Sequence, residues 1–458
     1  MDSNKKLPPL ESTPNNVRVL LCVMMFLQYF VQGCYLPIVS VYVQDALGFD
    51  SKQVGIFGSA LAVGPLLAPF VLGQLVDRIW ATQRVLAICH LSGGVIMLLI
   101  YSQNGFWPVV ILGTLYSVLY VPSMMLTNSL AFHHLKDRDR EFPLIRLFGT
   151  IGFVVPAWLI EMVWLKGLTG DELNSARGIA FCFAGIAGLL MGVFSFFLPN
   201  TPPEQRDKKN FAPGEVIGLM RLRYFAVLVI ITFFVAIVHK FYFVWNSPFL
   251  KDILRSGGYE GAWEQRISSI GQISEVVVMV FLGFMVSRFG FKITMLIGIL
   301  AYVSRCVVLA AAICVDDSFT FSMTLACIGQ ALHGFCFGCF LAAAFMFVDK
   351  VASIDLRGSM QNLYGTFVIG FGFFVGGFIS GWVGDFFTTE ISSQTIRQQI
   401  GITSTTGIVQ FANKEQVQYL RDWPGIWLSC GLLAVICFAG FAFLFPRYAD
   451  ESDEKSKD

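Results

Sequence analysis

Apolar residues in this chain gather into long unbroken runs. Runs of about twenty, the length an α-helix needs to cross a bilayer, recur from Val17 to Phe445. Hydrocarbon offers the backbone no hydrogen-bond partner, so a spanning segment must be a helix or part of a closed barrel. A barrel strand alternates apolar and polar residues; these runs are continuous, which predicts helices. The pattern predicts twelve, over 17–43, 53–76, 84–102, 107–134, 142–165, 177–198, 222–249, 264–287, 293–314, 320–348, 359–383 and 424–445. Between the sixth and seventh lies NTPPEQRDKKNFAPGE, a polar, proline-containing linker. The expected organisation is a tail over 1–16, a six-helix bundle over 17–199, a linker over 200–221, a second bundle over 222–446 and a tail over 447–458. Within the second bundle, 385–423 forms an external loop, and its IVQFANKEQVQYLRDW is expected to form a short helix over the outer mouth.

Composition agrees with a polytopic membrane protein. Of 458 residues, 55% are hydrophobic and 14% charged, and the mean hydropathy is +0.66; soluble proteins carry about 25% charge. With the N-terminus inside, cytoplasmic segments hold about 20 of the 32 Lys and Arg, external segments about 9, and three (Arg146, Lys240, Arg305) lie within spans. That bias predicts both termini in the cytoplasm. The polar start MDSNKKLPPLESTPNN is not a signal peptide, so the first span is expected to be an uncleaved anchor. All eleven cysteines fall in apolar segments, and Cys336 and Cys339 read as packing residues, not a metal or redox pair. No catalytic residue, cofactor or metal is expected. The net charge of +1 identifies no partner, and nothing points to nucleic acid.

Polar residues inside the spans carry the candidate chemistry, because a charge at the bilayer centre costs about 2.5–3.5 kcal/mol on insertion scales. The fifth span opens FPLIRLFGTIGF, in which Arg146, Thr150 and Phe153 share one helix face. A guanidinium fork, a hydroxyl and an aromatic plane suit a ligand with oxygens and a flat ring. The alternative for Arg146 is a structural ion pair, or a side chain that snorkels to the cytoplasmic edge. In the eighth span Gln272 and Glu275 are three apart; Glu275 is a proton-relay or substrate-hydroxyl candidate, set against a plain inter-helix hydrogen bond. The seventh contains HKFYFVWNSPFL, with His239, Lys240, Tyr242 and Asn246. Lys240 is expected to reach Glu275 if the two helices are neighbours, and Pro248 to break or kink the outer end. In the tenth, His333 is a candidate proton carrier or a helix-to-helix hydrogen bond, with Phe337 one turn on. Gly334 and Gly338 form a G-x-x-x-G for close packing. Arg305 and Glu161 read as structural charges without a clear companion.

After the second span comes the loop Gly73-Gln-Leu-Val-Asp77-Arg78, and after the eighth Gly283-Phe-Met-Val-Ser287-Arg288. The G-x-x-x-D-R pattern at equivalent places resembles the loop signature of the major facilitator superfamily. FPLIRLFGTIGF (142–153), LVDRIWATQRVLAICH (75–90), GQISE (271–275) and the run ending FMFVDK (345–350) resemble, more narrowly, its nucleoside:proton symporter family. The resemblance implies an all-α membrane protein of twelve transmembrane helices in two parallel six-helix repeats. It also implies a monomer importing nucleosides with protons across a bacterial inner membrane. It places Arg146, Thr150, Phe153, Gln272, Glu275 and Phe337 in the nucleoside site, with Lys240 and His333 at positions where the family has other ligands. Where the family has an aspartate tied to proton coupling, this chain has Gly338, which leaves Glu275 or His333 to carry the proton. Two other readings stand beside this one: a carrier or facilitator of another polar solute such as a sugar or modified nucleoside, and a non-transporting membrane sensor. An ATP-driven pump is disfavoured, because the chain has no G-x-x-x-x-G-K-[ST] loop.

Overall fold

The computed structural model describes residues 13–67, 80–202, 220–314, 318–351, 360, 364–365, 370–392, 408–412 and 417–446. Gly73, Asp77 and Arg78 of the loop motif lie outside the described residues, as does the 203–219 part of the linker.

The long apolar runs are helices. In the N-terminal part of the chain these are α1 (Asn15–Tyr35), α2 (Val39–Asp45), α3 (Ser51–Ala60), α4 (Thr82–Tyr101), α5 (Phe106–His134), α6 (Arg138–Leu159), α7 (Gly170–Ala176) and α8 (Ile179–Phe194). In the C-terminal part they are α9 (Arg223–Ser256), α10 (Glu264–Cys314), α11 (Phe319–Phe335), α12 (Ala343–Val351), α13 (Phe371–Phe386) and α14 (Trp423–Leu444). Among the described residues, nine segments are long and apolar enough to span a membrane. One of them is the 51-residue Glu264–Cys314, where the predicted eighth and ninth spans join. Gly290, at φ 76°, bends it, a conformation available to glycine at no steric cost.

Local chemistry sets the ends. Asp50 caps α3 by accepting from the Gln53 amide, and the Gln53 side chain returns the bond to the Asp50 amide. Asp137 caps α6 through the Arg140 amide, and Asp422 caps α14 through that of Gly425. Two helices loosen into π turns, α6 at Ile160–Trp164 and α11 at Cys336–Ala342. Such turns recur at functional sites. The G-x-x-x-G reading holds: a Cβ at Gly334 would meet the backbone of Ser274, and one at Gly338 would lie 2.8 Å from Val278 Cγ1. An aspartate at 338 would have to displace α10, which is a packing reason for glycine there.

One expectation is narrowed and another fails. Pro248 does not break the seventh span, since α9 continues to Ser256. Trp245, Phe249 and Leu250 around the proline are fully buried against neighbours, and Trp423 packs edge-on to Phe249 at 5.4 Å. Tertiary packing holds the helix where proline removes one backbone bond. The described residues of 408–421 are strands and not a helix. They form β2 (Ile408–Ala412) and β3 (Val417–Arg421), which join β1 (Thr388–Ser392) in an antiparallel sheet ordered β1-β3-β2. Ile408, Val409, Phe411, Val417 and Tyr419 are β-branched or aromatic, and such residues suit paired strands better than a short isolated helix.

Candidate functional site: a cavity between α1, α6, α9 and α10

α6 and α10 lie side by side and antiparallel, and three contacts fix their register. The Glu161 carboxylate, at the end of the α6 π turn, accepts from the Gln265 amide at 2.7 Å and from Arg266 Nε at 3.1 Å. Trp158 Nε1 donates to Ser269 Oγ at 3.1 Å. Further along, Phe153 of α6 and Gln272 of α10 line one cavity. The face read from FPLIRLFGTIGF therefore looks at the face carrying Gln272 and Glu275.

Between these helices, α1 and α9, lies a cavity of about 40 Å³. Phe153 and Gln272 line it, with Tyr242, Phe243 and Asn246 from α9 and Leu36 following α1. Arg146 lies seven residues before Phe153, about 10 Å along the helix at 1.5 Å per residue. Its guanidinium lies over the Tyr29 ring at 4.1 Å. Thr150, half-buried, falls between them. Among the described residues, neither Arg146 nor Glu275 makes an ion pair or a side-chain hydrogen bond within hydrogen-bonding distance.

The expected Lys240–Glu275 pair does not form. Lys240 runs from α9 over Gly58 of α3, with its Cβ against Gly376 of α13, and so points away from the eighth span. His333 lies one helix further in, hydrogen-bonded to Arg305 Nη1 at 2.9 Å through Nδ1. A guanidinium only donates, so Nδ1 accepts and carries no proton in this arrangement. The His333 ring stacks on Tyr242 at 4.6 Å and on His239 at 5.3 Å, and Phe337 lies in the π turn beyond it. Arg305 thus has a companion after all, and its guanidinium also covers the Tyr242 ring at 4.2 Å. Glu161 has one too, in Arg266.

Sequence reasoning missed Gln330 and Gln265. Gln330 accepts from Tyr242 OH and donates to Asn246 Oδ1, both at 2.7 Å, while Asn246 Nδ2 donates to Ser268 Oγ at 2.8 Å. This chain holds one wall of the cavity. Its signal in the sequence was a lone amide in an apolar run, the same signal that singled out Gln272.

Beyond the cavity, on the side of Glu161 and Gln265, a buried ionic seam joins the N-terminal and C-terminal parts of the chain. Lys251 Nζ meets both Asp45 oxygens at 2.7–2.8 Å. Arg177 bridges Asp45 at 3.6 Å and Glu264 at 2.5 Å. Arg421, at the end of β3, donates to Gln44 at 2.9 Å. Lys251, Asp45, Arg177, Glu264 and Arg421 are each at most 4% exposed.

The chain was compared with known proteins. YegT of Escherichia coli (strain K12), whose name carries the words nucleoside transporter, is 28% identical over 446 residues, covering 95% of this chain and 94% of its own. The nucleoside permease NupG of the same organism is 26% identical, covering 93% of this chain and 96% of its own. A crystal structure of the nucleoside transporter NupG superposes with a TM-score of 0.76 at 23% identity, covering 95% of this chain and all of the other, and so shares the fold. The family model described as nucleoside H+ symporter matches residues 15–451. The cavity built across α6 and α10 thus sits in a chain that belongs to the nucleoside H+ symporter family, whose members are membrane transporters and not enzymes.

Proposed function

We propose that this protein imports nucleosides together with protons, by alternating access around the cavity between α6 and α10. The observation that carries the reading is the cavity itself, lined by Phe153 and Gln272 on the α6 and α10 faces that also carry Arg146 and Glu275, two charges in apolar spans that make no ion pair among the described residues. A buried charge without a protein partner is costly, and it persists where a ligand completes it. The relatives named as nucleoside transporters, permeases among them, support a nucleoside as that ligand. The proposed architecture is twelve helices in two parallel six-helix repeats, with both termini cytoplasmic, acting as a monomer in a bacterial inner membrane.

In the proposed site the base stacks on Phe153, Thr150 and Gln272 hydrogen-bond the nucleoside, and Arg146 donates to its oxygens. Phe337, on α11's π turn, borders the site, while Lys240, turned towards Gly58 and Gly376 in this arrangement, joins it only in another arrangement of the halves. Glu275 carries the coupled proton. His333, an acceptor from Arg305, serves as a rigid wall and is the second candidate for coupling. A proton on Glu275 removes its attraction to Arg146, and loss of that proton restores it. A change in this attraction that differs between two arrangements of the halves links proton binding to rocking. The outer ionic seam holds the arrangement in which the side of Glu161 and Gln265 is closed.

The test is uptake of radiolabelled uridine and adenosine into proteoliposomes, with and without an inward proton gradient. Accumulation that responds to the gradient is expected. Glu275→Gln should abolish accumulation and keep exchange of nucleoside across the membrane. Sugar uptake without nucleoside uptake would replace this reading. Gradient-driven accumulation by the Gln variant would move coupling to His333.

A further inference from the structure

Gln265 stands at the start of α10, among the residues that line the cavity. It is 1% exposed, and among the described residues neither Nε2 nor Oε1 has a hydrogen-bond partner. Asn246 and Ser269, which line the same cavity, are committed elsewhere. Asn246 is held by Gln330 and Ser268, and Ser269 Oγ donates to Arg266 O while accepting from Trp158. A buried amide with both ends unpaired is rare, because each end gives up its water and receives nothing. Its position is not loose: the Gln265 backbone amide is fixed by Glu161 Oε1 across the helix pair.

We infer that Gln265 reads the edge of the nucleobase and sets base preference. This rests on the proposed nucleoside site and deepens it. A carboxamide presents a donor and an acceptor side by side. That pair matches two adjacent complementary groups on a flat edge, such as the amidine of adenine or the lactam of uracil and hypoxanthine. A lone ribose hydroxyl would satisfy one end of the amide and leave the other buried and unpaired. The cavity walls next to it are aromatic, Phe153, Tyr242 and Phe243, which suits a planar guest. Base towards Gln265 then puts ribose towards Glu275 and Arg146, where hydroxyls meet charged partners.

The test compares the parent with Gln265→Leu, which keeps roughly the volume and removes both polar atoms. Competition against labelled adenosine uptake is measured with adenosine and with purine riboside, which lacks the exocyclic amine. Uridine and 3-methyluridine form a second pair. In the parent, the analogue of each pair should compete about tenfold to a hundredfold less well, the range of a good bidentate contact. In Gln265→Leu the intact nucleosides should weaken to the level of their analogues, closing the gap. The midpoint of thermal unfolding without substrate should not fall, because the orphan amide contributes nothing to the empty protein. A gap that survives in the Leu variant overturns the inference, as does equal weakening of all four ligands with a lower unfolding midpoint. A parent that accumulates no nucleoside would instead defeat the functional reading itself, so the two failures are distinct.

Discussion

The ionic seam and the cavity lie along the same helix pair, and both bury charge, yet they treat it in opposite ways. In the seam each carboxylate meets a cation. Asp45 holds Lys251 and Arg177, Arg177 holds Glu264, and Glu161 holds Arg266. About three to four turns along, Arg146 and Glu275 make no ion pair, and Gln265 at the border has no partner among the described residues. In the seam the carboxylates' loss of hydration is offset within the protein, although Arg177 Nε and Gln44 Nε2 have no hydrogen-bond partner among the described residues. The cavity is an open set, completed only by something that enters it. Where buried polar groups satisfy one another they fix a conformation; where they do not, they define a ligand.

The sharpest way to break that contrast is to open the seam. Arg177→Met leaves Asp45 and Glu264 short of a cation in a site 4% exposed or less. Removing one partner of a buried pair costs about 3–5 kcal/mol. A strongly lowered unfolding midpoint of the purified protein is expected, and an unchanged midpoint would show that the seam is idle. Arg146→Ala should behave the opposite way. Its guanidinium is committed to no carboxylate in the fold, so the variant should purify and unfold like the parent while nucleoside binding falls. Loss of a hydrogen bond to a charged group, about 1.5–3 kcal/mol, predicts roughly 10- to 150-fold weaker binding by equilibrium titration. Parent-like affinity would return Arg146 to a structural role, through its stacking on Tyr29. The smallest effect is expected for Phe153→Leu, which keeps apolar volume and removes the ring face. Stacking worth about 0.5–1.5 kcal/mol gives a loss of up to about tenfold for nucleosides and none for ribose. Equal weakening of ribose and nucleoside would argue against a base on Phe153.

Arg146 and Glu275 were legible in the sequence because each is a charge inside an apolar run, where its cost marks it without any knowledge of neighbours. Thr150 and Phe153 followed from helical periodicity. The direction of Lys240 was not legible. It was the charge nearer to Glu275 in sequence, but the rotation of α9 turns it towards Gly58 and Gly376. Arg305 and Glu161 looked solitary because their companions, His333 and Arg266, lie on other helices or beyond a turn.

The sequence by itself determined that long apolar runs are helices, where most of them begin and end, and which intramembrane polar residues are too costly to be incidental. These follow from local rules: bilayer thickness, the backbone's need for internal hydrogen bonds, and side-chain periodicity. Tertiary structure alone decided which of those residues meet, that α9 survives Pro248, that the described residues of 408–421 pair as strands, and that Gln265 is left unpaired beside a cavity. Those outcomes depend on contacts distant in the chain. Packing around Trp423 outweighs a proline's missing bond, and whether a buried amide finds a partner depends on what the other helices bring to it.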